Sequence, residues 1–242
     1  SIQTAETIAL ALNVTLPMIE VMDFRKAGFL PEALVNYLAL LGWSPGDDRE
    51  IMTLDEMATC FSMKRIGKTS ARFDVDKLRW MNGEYMRDKP EAEIVLALES
   101  YLEVVDSPLK SLSSERKLEW LQLYRDRAPT FGEMEAASQF LFQEPSEYAS
   151  KPARKHLLKG DGLERLSALS VTLGGLEQWT TETVEGAFQA LMEHHNNGLG
   201  QWAMPTRIAL AGNPVTPSIY ETLAFMEQGE VLRRLRKCHA HF

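Results

Sequence analysis

The sequence predicts an all-α protein built from two consecutive helical subdomains, and three observations support this prediction. Apolar residues recur with i, i+3 and i+4 spacing along most of the 242 residues, which is the period of an amphipathic helix. Capping-box patterns such as Thr53-Leu54-Asp55-Glu56 stand before these runs, and glycines such as Gly42 follow them. The apolar runs at 14–16 and 208–210 are too short to build a sheet.

The first half of the chain is predicted to hold four helices. Pro31 suits the first turn of a helix that Gly42 ends, and residues 43–48 then form a loop. Asp74 suits an N-cap because its carboxylate can accept hydrogen bonds from first-turn amides. The predicted ranges are 31–42, 53–61, 75–87 and 90–105, and the last of these helices is expected to bury Ile94, Leu96, Leu98, Tyr101 and Leu102.

The second half repeats this pattern of caps, apolar periodicity and glycine stops. Ser113 or Ser114 is expected to cap the first helix, and Thr130 opens a second capping box. Thr216 and Pro217 are expected to open the last helical region, which breaks near Gly229. The other predicted ranges are 115–126, 130–142, 152–160, 162–173 and 181–196.

Composition limits the class of protein. Hydrophobic residues make up 45% and charged residues 25% of the chain, which are values of an ordinary globular protein. No run approaches 18 uncharged apolar residues and no basic region precedes an apolar run at the N-terminus, so neither a membrane span nor a signal peptide is expected. Only Cys60 and Cys238 are present, which favours a reducing cytoplasmic location and argues against a cysteine-based zinc site.

The charge is distributed unevenly along the chain. The formal net charge is −8, yet residues 60–89 hold eight basic and four acidic side chains, and residues 151–160 hold four basic and no acidic ones. Residues 91–150 hold five basic and twelve acidic side chains. Such asymmetry is typical of a protein that presents one face to a polyanion, although charge runs on helices are also common as solvated faces.

The motifs of a catalytic protein are absent. Neither a G-x-x-x-x-G-K-[ST] nor a G-x-G-x-x-G phosphate loop occurs. His194 and His195 are adjacent, so on a helix they point about 100° apart and cannot share one metal ion. No serine or cysteine stands in a nucleophile signature. We therefore assign no catalytic residue and no metal ligand, and the residues favour a binding module.

Three stretches carry a resemblance to a known family. They are residues 23–46 (DFRKAGFLPEALVNYLALLGWSPG), residues 68–86 (KTSARFDVDKLRWMNGEYM), and residues 205–212 (PTRIALAG) followed by 216–219 (TPSI). Together they resemble the C-terminal half of bacterial-type glutamate–tRNA ligases, which are class I aminoacyl-tRNA synthetases. The resemblance implies a helical stem-contact region at 1–88, followed by an all-α anticodon-binding domain, or cage, at 89–242.

The resemblance also implies what the chain lacks. The family's His-Ile-Gly-His-type and Lys-x-Ser-Lys-type motifs, which belong to its nucleotide-binding catalytic domain, do not occur here. The chain is therefore expected to be inactive alone and to hold no cofactor, while ATP and Mg²⁺ would serve the parent enzyme. The glycine of the last motif, Gly229, also stands two positions away from its place in the family pattern.

The resemblance assigns two groups of RNA-binding residues. A guanidinium can stack on a base and hydrogen-bond at once, and a helix start offers free amides. Thr216-Pro217 could equally be a helix cap alone, and Arg72 and Asp74 could simply be an ordinary capping or salt-bridge pair. Trp43 and Trp80 are expected in the core. The residues implied at the anticodon are Arg207, Thr216, Pro217 and Ile219, and those implied at the tRNA backbone are Lys64, Arg65, Lys68, Arg72, Lys77, Arg79, Lys151, Arg154 and Lys155.

The sequence thus predicts a monomeric, cytoplasmic tRNA-binding portion of a glutamate–tRNA ligase. Its partners would be tRNA-Glu, with tRNA-Gln left open, and the N-terminal catalytic domain of the same protein, without a membrane. Two alternatives remain: a free-standing tRNA-binding protein that acts in trans, and a helical scaffold that contacts proteins.

Overall fold

The fold is all-α, as the sequence predicts. A computed structural model describes residues 17–67 and 71–242, together with Thr4, Ala9, Ala11 and Leu12. Within these described residues every regular element is a helix, and β-type pairing is limited to one isolated bridge between Trp43 and Ile66. No helix in the described part of the chain has both the length and the apolar character needed to cross a membrane.

The chain divides into two compact units. Unit 1 comprises residues 1–110 and 128–133, and unit 2 comprises residues 111–127 and 134–242. The boundary at 88/89 that the resemblance implies stays a prediction.

The described part of unit 1 contains five α-helices whose two ends both lie among the described residues. It also contains a 3-10 turn at Met63–Arg65 and a second at Pro108–Ser111, whose last residue belongs to unit 2. The third and fourth begin at the predicted caps: the Thr53 hydroxyl accepts from the amide of Glu56 (3.2 Å), and the Asp74 carboxylate accepts from the amides of Asp76 and Lys77 (3.0 and 3.1 Å). The helices are α1 (Val21–Lys26), α2 (Pro31–Gly42), α3 (Leu54–Cys60), α4 (Val75–Asp88) and α5 (Glu91–Leu102).

Unit 2 contains the remaining helices, except that the first turn of α7 belongs to unit 1. Ser113 is the cap of α6, which confirms one of the two residues predicted there, and Thr180 caps α10. The helices are α6 (Ser114–Tyr124), α7 (Phe131–Phe142), α8 (Ser150–Ala153) with a π-helical turn at Arg154–Leu158, α9 (Gly162–Gly174), α10 (Thr181–His194), α11 (Leu199–Ala211), α12 (Ile219–Phe225) and α13 (Gln228–His241).

Each unit has its own buried core. In unit 1, apolar side chains of α1, α2 and α4 pack together, among them Phe24, Tyr37 and Met81. In unit 2, Trp120, Phe188 and Trp202 are almost fully buried on α6, α10 and α11. Burial of such large side chains is the main force that holds a helical domain together.

Several predictions about individual elements are wrong. Helix α5 ends at Leu102 rather than near 105, and Leu96 is exposed because it lies about 200° around the helix from buried Ile94. Trp80 is 45% exposed, whereas Trp43 is buried as predicted. Residues 208–210 lie within α11, a helix that the sequence pattern does not predict.

The C-terminal region also differs from its prediction. The helix expected to open at Thr216-Pro217 begins at Ile219, with Ser218 as its N-cap. The chain breaks at Met226 and Glu227, and Gly229 is already the second residue of α13. Both shifts are within the usual uncertainty of helix ends.

Candidate nucleic-acid interface

Arg207 forms a polar cluster with two other residues predicted to meet the anticodon. It lies on α11 and is half-buried, and its Nε donates a hydrogen bond to the Thr216 hydroxyl (3.1 Å). A second guanidinium nitrogen approaches the Pro217 carbonyl (3.5 Å), to which the Thr216 hydroxyl also donates (3.1 Å). The loop after α11 thus holds the guanidinium in place through neutral oxygens.

The electrostatics of this cluster favour an incoming anion. Burial lowers the pKa of Arg207, and the positive charge of Arg127 lowers it further. Among the described residues no carboxylate forms an ion pair with Arg207 or Arg127. Two neighbouring cations without an acid are an arrangement that a phosphate or an electron-rich base edge can neutralise.

Arg127 is a candidate functional residue that the sequence pattern does not single out. It follows the C-terminal end of α6 and is exposed. Its only sequence signal is its place in an Arg-Asp-Arg run, and that run lies within the acidic segment 91–150. What reveals it is the effect of its positive charge in the folded chain, which lowers the pKa of Arg207.

The loop that carries Thr216 is shaped by its first residues. Gly212 ends α11 in the left-handed region (φ 73°), and the Asn213 side chain accepts a hydrogen bond from the Val215 amide (2.9 Å). Val215 is exposed and Thr216 is half-buried, whereas Pro217 and Ile219 are buried. The assignment of Thr216, Pro217 and Ile219 as base contacts stays a prediction. Because these side chains are largely buried, a base would have to contact their backbone groups, or this loop would have to rearrange.

The basic side chains predicted at the tRNA backbone in unit 1 are of two kinds. Lys68 lies outside the described residues, and Lys64 and Arg72 are exposed and form no ion pair with another described residue. Asp74 caps α4, which confirms the capping part of the predicted alternative, and it forms no ion pair with Arg72. The others are engaged within unit 1: Arg79 with Glu133 (2.8 Å) and Asp76 (3.2 Å), Lys77 with Glu50, and Arg65 with the Pro45 carbonyl.

The basic side chains predicted in unit 2 form one exposed surface. Ala153 and Leu157 are buried four residues apart, which turns Lys151, Arg154 and Lys155 outward. None of these three forms an ion pair with another described residue. Burial, followed by the charge of Lys155, lowers the pKa of the neighbouring His156. This surface therefore offers uncompensated positive charge.

These features define a class of protein: a helical protein whose surface carries local clusters of uncompensated cations, which is the charge pattern that a polyanion can bind. Residues 92–239 match the family described as "Anticodon binding domain", and residues 15–80 match the family described as "tRNA synthetases class I (E and Q), catalytic domain". The chain belongs to the anticodon-binding-domain family, since the first match covers more than half of it.

Similar proteins agree with this assignment. The chain is 36% identical over 226 residues to the glutamate–tRNA ligase of Desulforudis audaxviator (strain MP104C) and 32% identical over 218 residues to that of Moorella thermoacetica. These alignments cover 90% and 89% of the chain but 44% of each relative. The chain therefore spans less than half the length of these relatives.

Solved structures lead to the same family. A glutamate–tRNA ligase of Elizabethkingia meningosepticum, solved with its amino acid, matches with a TM-score of 0.78 and 26% identity, over 90% of this chain and 42% of that one. The glutamate–tRNA synthetase of Elizabethkingia anophelis matches over the same shares, with a TM-score of 0.75 and 26% identity. The predicted resemblance to glutamate–tRNA ligases is confirmed.

Proposed function

We propose that this chain is the tRNA-binding portion of a glutamate–tRNA ligase and that it grips the anticodon arm of tRNA-Glu. The observation that carries the proposal is the Arg207 cluster, in which a half-buried guanidinium is held by Thr216 and Pro217 without an acidic partner among the described residues. The family match over residues 92–239 supports a role at the anticodon. A cytosolic location suits this role.

In this proposal the exposed cations and the half-buried Arg207 have different roles in tRNA binding. Exposed Lys151, Arg154 and Lys155 neutralise phosphates, which gives affinity and position without reading sequence. Arg207 contacts a base, because a half-buried planar guanidinium can stack and hydrogen-bond an unstacked base of the anticodon loop. Arg127 adds positive charge to the same site.

We assign the chemistry to the part of the ligase that this chain does not span. Glutamate activation by ATP and Mg²⁺ needs a nucleotide site and oxygen ligands for the metal. The described residues include no group of three His, Cys, Asp or Glu side chains that could hold a metal ion. We derive no catalytic step through this chain, and the catalytic domain is its proposed partner.

Fluorescence anisotropy with labelled tRNA tests the proposal. We expect the chain to bind a tRNA-Glu transcript at least tenfold more tightly than the same transcript with a different anticodon. Heparin at equal charge serves as the control for attraction to any polyanion. Absence of tRNA binding, or equal binding of both transcripts and heparin, would contradict the proposal.

A further inference from the structure

Two segments of unit 2 begin beside one buried arginine. The guanidinium of Arg234 donates hydrogen bonds to the carbonyl of Phe140 near the end of α7 and to that of Leu210 near the end of α11. Residues 143–149, which we call the connecting segment, lead from α7 to α8, and the loop 212–218 leads from α11 to α12. Arg234 therefore fixes the starting points of both segments relative to each other.

The two segments meet again at Ala149 and Gly212. The amide of Ala149 donates to the carbonyl of Gly212 (2.7 Å). Gly212 has φ +73°, and a Cβ there would lie 2.5 Å from the carbonyl oxygen of Glu147 and 2.9 Å from the Cβ of Pro145. Because closely packed groups leave no slack, a displacement of one segment has to displace the other.

The connecting segment also rests on α13. The carboxylate of Glu144 pairs with Arg233 (2.8 Å) and with Lys237 (2.7 Å). Near the other end, the ring of Tyr148 packs against that of His241, with 5.1 Å between the ring centroids. The connecting segment is therefore held in place at both of its ends.

The contact between Ala149 and Gly212 joins the two groups of residues that the proposed function assigns to tRNA. Exposed Lys151 stands two residues after Ala149, at the start of the basic surface of α8. Thr216 stands four residues after Gly212, and its hydroxyl accepts the hydrogen bond from Arg207 (3.1 Å). Only a few residues of chain therefore separate the proposed phosphate contacts from the proposed base contact.

We infer that the contact between Ala149 and Gly212 positions Arg207 relative to the phosphate-binding cations, so that Ala149 and Gly212 are positioning residues for anticodon selectivity. The inference rests on the proposed function for the roles of Arg207 and Lys151. Once phosphates bind at α8, a loop of fixed geometry presents Arg207 to the base without further ordering. A loose loop would lose conformational entropy at this step, and selectivity would fall.

Two variants break the contact from opposite sides. Ala149→Pro removes the amide that bonds Gly212, at a φ of −56° that proline also adopts. Gly212→Ala places a methyl group against Glu147 and serves as the second variant if the first does not fold. The matched control is Val184→Ala, which removes buried methyl groups from α10 and lowers stability outside both segments. Circular dichroism and urea unfolding check that each variant is folded.

The measurement is a double-mutant cycle of Arg207→Ala and Lys151→Ala in each background, with tRNA-Glu binding followed by fluorescence anisotropy at one salt concentration. In the wild type and in Val184→Ala, the loss of the double variant should differ about threefold or more from the product of the single losses, whereas in Ala149→Pro the losses should multiply. Ala149→Pro should also reduce discrimination against an anticodon-swapped tRNA about fivefold or more, with the affinity for the swapped tRNA nearly unchanged.

Hydrogen exchange of the chain without tRNA tests the contact itself. Ala149→Pro and Gly212→Ala should each raise exchange about fivefold or more in both the connecting segment and the loop 212–218, and Val184→Ala should not. A rise confined to the substituted segment would overturn the inference, as would equal non-additivity in folded Ala149→Pro. Absence of tRNA binding by the wild type would overturn the proposed function and this inference together, whereas multiplying losses in a wild type that binds and discriminates would overturn this inference alone.

Discussion

Arg207 can have either of two roles in an RNA-binding domain. As a base contact it discriminates among anticodons, whereas as a structural residue it would stabilise the loop after α11 through Thr216 and Pro217. The geometry is compatible with both roles. Neutral acceptors hold the guanidinium in place, and none of the described acids forms an ion pair with it. Affinity for different tRNAs and stability therefore have to be measured together.

We predict that Arg207→Ala weakens binding of tRNA-Glu more than binding of an anticodon-swapped tRNA, by about 1–3 kcal/mol. Arg207→Lys should restore little, since a point charge lacks the planar fork of the guanidinium. Binding of both tRNAs is measured at one fixed salt concentration, and the melting temperature is recorded in parallel. Equal losses for the two tRNAs, together with a lower melting temperature, would leave Arg207 a structural role only.

Arg234 is a different kind of arginine. It is 3% exposed, and it donates hydrogen bonds to the carbonyls of Phe140 and Leu210, near the C-terminal ends of α7 and α11. A cation at these ends is favourable because helix carbonyls concentrate negative charge there. Glu230 completes the cluster by accepting from Arg234 (2.5 Å) and from Arg233 (2.8 Å).

The Glu230 carboxylate makes the stability of this cluster depend on pH. The hydrogen bond from Arg233, with further contributions from Arg234, lowers the pKa of Glu230 to about 2 from its ordinary value of 4.5. Because the pKa is lower in the folded protein, this stabilisation is complete above pH 4.5 and is lost as the pH falls towards 2. Neutral pH is therefore the condition in which the cluster contributes most.

We predict that Glu230→Gln lowers the free energy of unfolding at pH 7 by about 2 kcal/mol, because it removes the charge from bonds to a buried guanidinium. The difference from the wild type should shrink as the pH is lowered from 4.5 towards 2. Urea unfolding at about pH 7, 4.5 and 3 measures this difference in the free energy of unfolding, and Glu177→Gln in an exposed loop is the control. A difference that stays constant over this range would contradict the assigned ionic role.

Sequence reasoning at the residue scale succeeds where a signal is local. Asp74 and Thr53 cap the predicted helices because a short polar side chain before an apolar run has one favoured use. The expected burial of Trp80 and Leu96 is wrong because apolar type alone does not report on the surface that covers a side chain. The neighbourhood of Arg127 and Arg207 could not be predicted, since eighty residues separate them in sequence.

At the scale of elements, α11 shows why a helix can escape prediction. Pro205 lies inside it and lacks the amide that would bond the carbonyl of Gln201, and glycines stand at both of its ends. A proline within the run and glycines at its ends predict that the helix is interrupted. The helix persists because Trp202, Ile208 and Leu210 are buried and their packing outweighs the lost hydrogen bond.

The junction between α1 and α2 depends on a close approach of two backbone segments. The amide of Phe131 donates to the carbonyl of Gly28 (3.1 Å), and the amide of Gly132 donates to that of Ala27 (3.3 Å). Gly28 has φ +83°, and a Cβ there would lie 2.6 Å from the backbone nitrogen of Gly132. Both the conformation and the space therefore require glycine.

We predict that Gly28→Ala destabilises unit 1 by about 2 kcal/mol or more, because a left-handed conformation and a backbone clash add together. Gly186→Ala is the matched control, since Gly186 lies inside α10 with open space where the alanine methyl group would lie, and it should gain about 0.5–1 kcal/mol. Urea unfolding followed by tryptophan fluorescence measures both. Equal stability of the wild type and Gly28→Ala would show that the junction can rearrange.

At the scale of the whole molecule, an acidic protein can bind a polyanion only through local surfaces. The net charge is −8, yet Lys64 and Arg72 in unit 1 and Lys151, Arg154 and Lys155 in unit 2 are exposed and uncompensated by described acids. Arg79 and Lys77, which the resemblance places in the same group, are paired with Glu133 and Glu50. The structure thus divides one predicted group into available and engaged cations, a division that composition could not give.

This division predicts how binding depends on salt. The affinity for tRNA should fall linearly in log–log form with salt, and each bound phosphate contributes about 0.7–0.9 to the slope. Reversal of Lys151 and Arg154 to Glu should weaken all tRNAs alike and reduce the slope by about one unit for each phosphate that is no longer neutralised. Lys64→Glu with Arg72→Glu should act in the same way if unit 1 also touches phosphates.

The measurement is a titration of tRNA at several salt concentrations, with Lys110→Glu and Arg236→Glu as a control of equal charge change outside the predicted surfaces. Comparison with this control separates direct phosphate binding from the long-range effect of net charge, because screening acts on all exposed charges while counterion release needs a local phosphate. Unchanged slopes in both reversal pairs would place the RNA on another part of the surface. A slope reduced only by the unit 2 pair would assign the phosphate contacts to unit 2, and Lys64 and Arg72 would then be solvated charges.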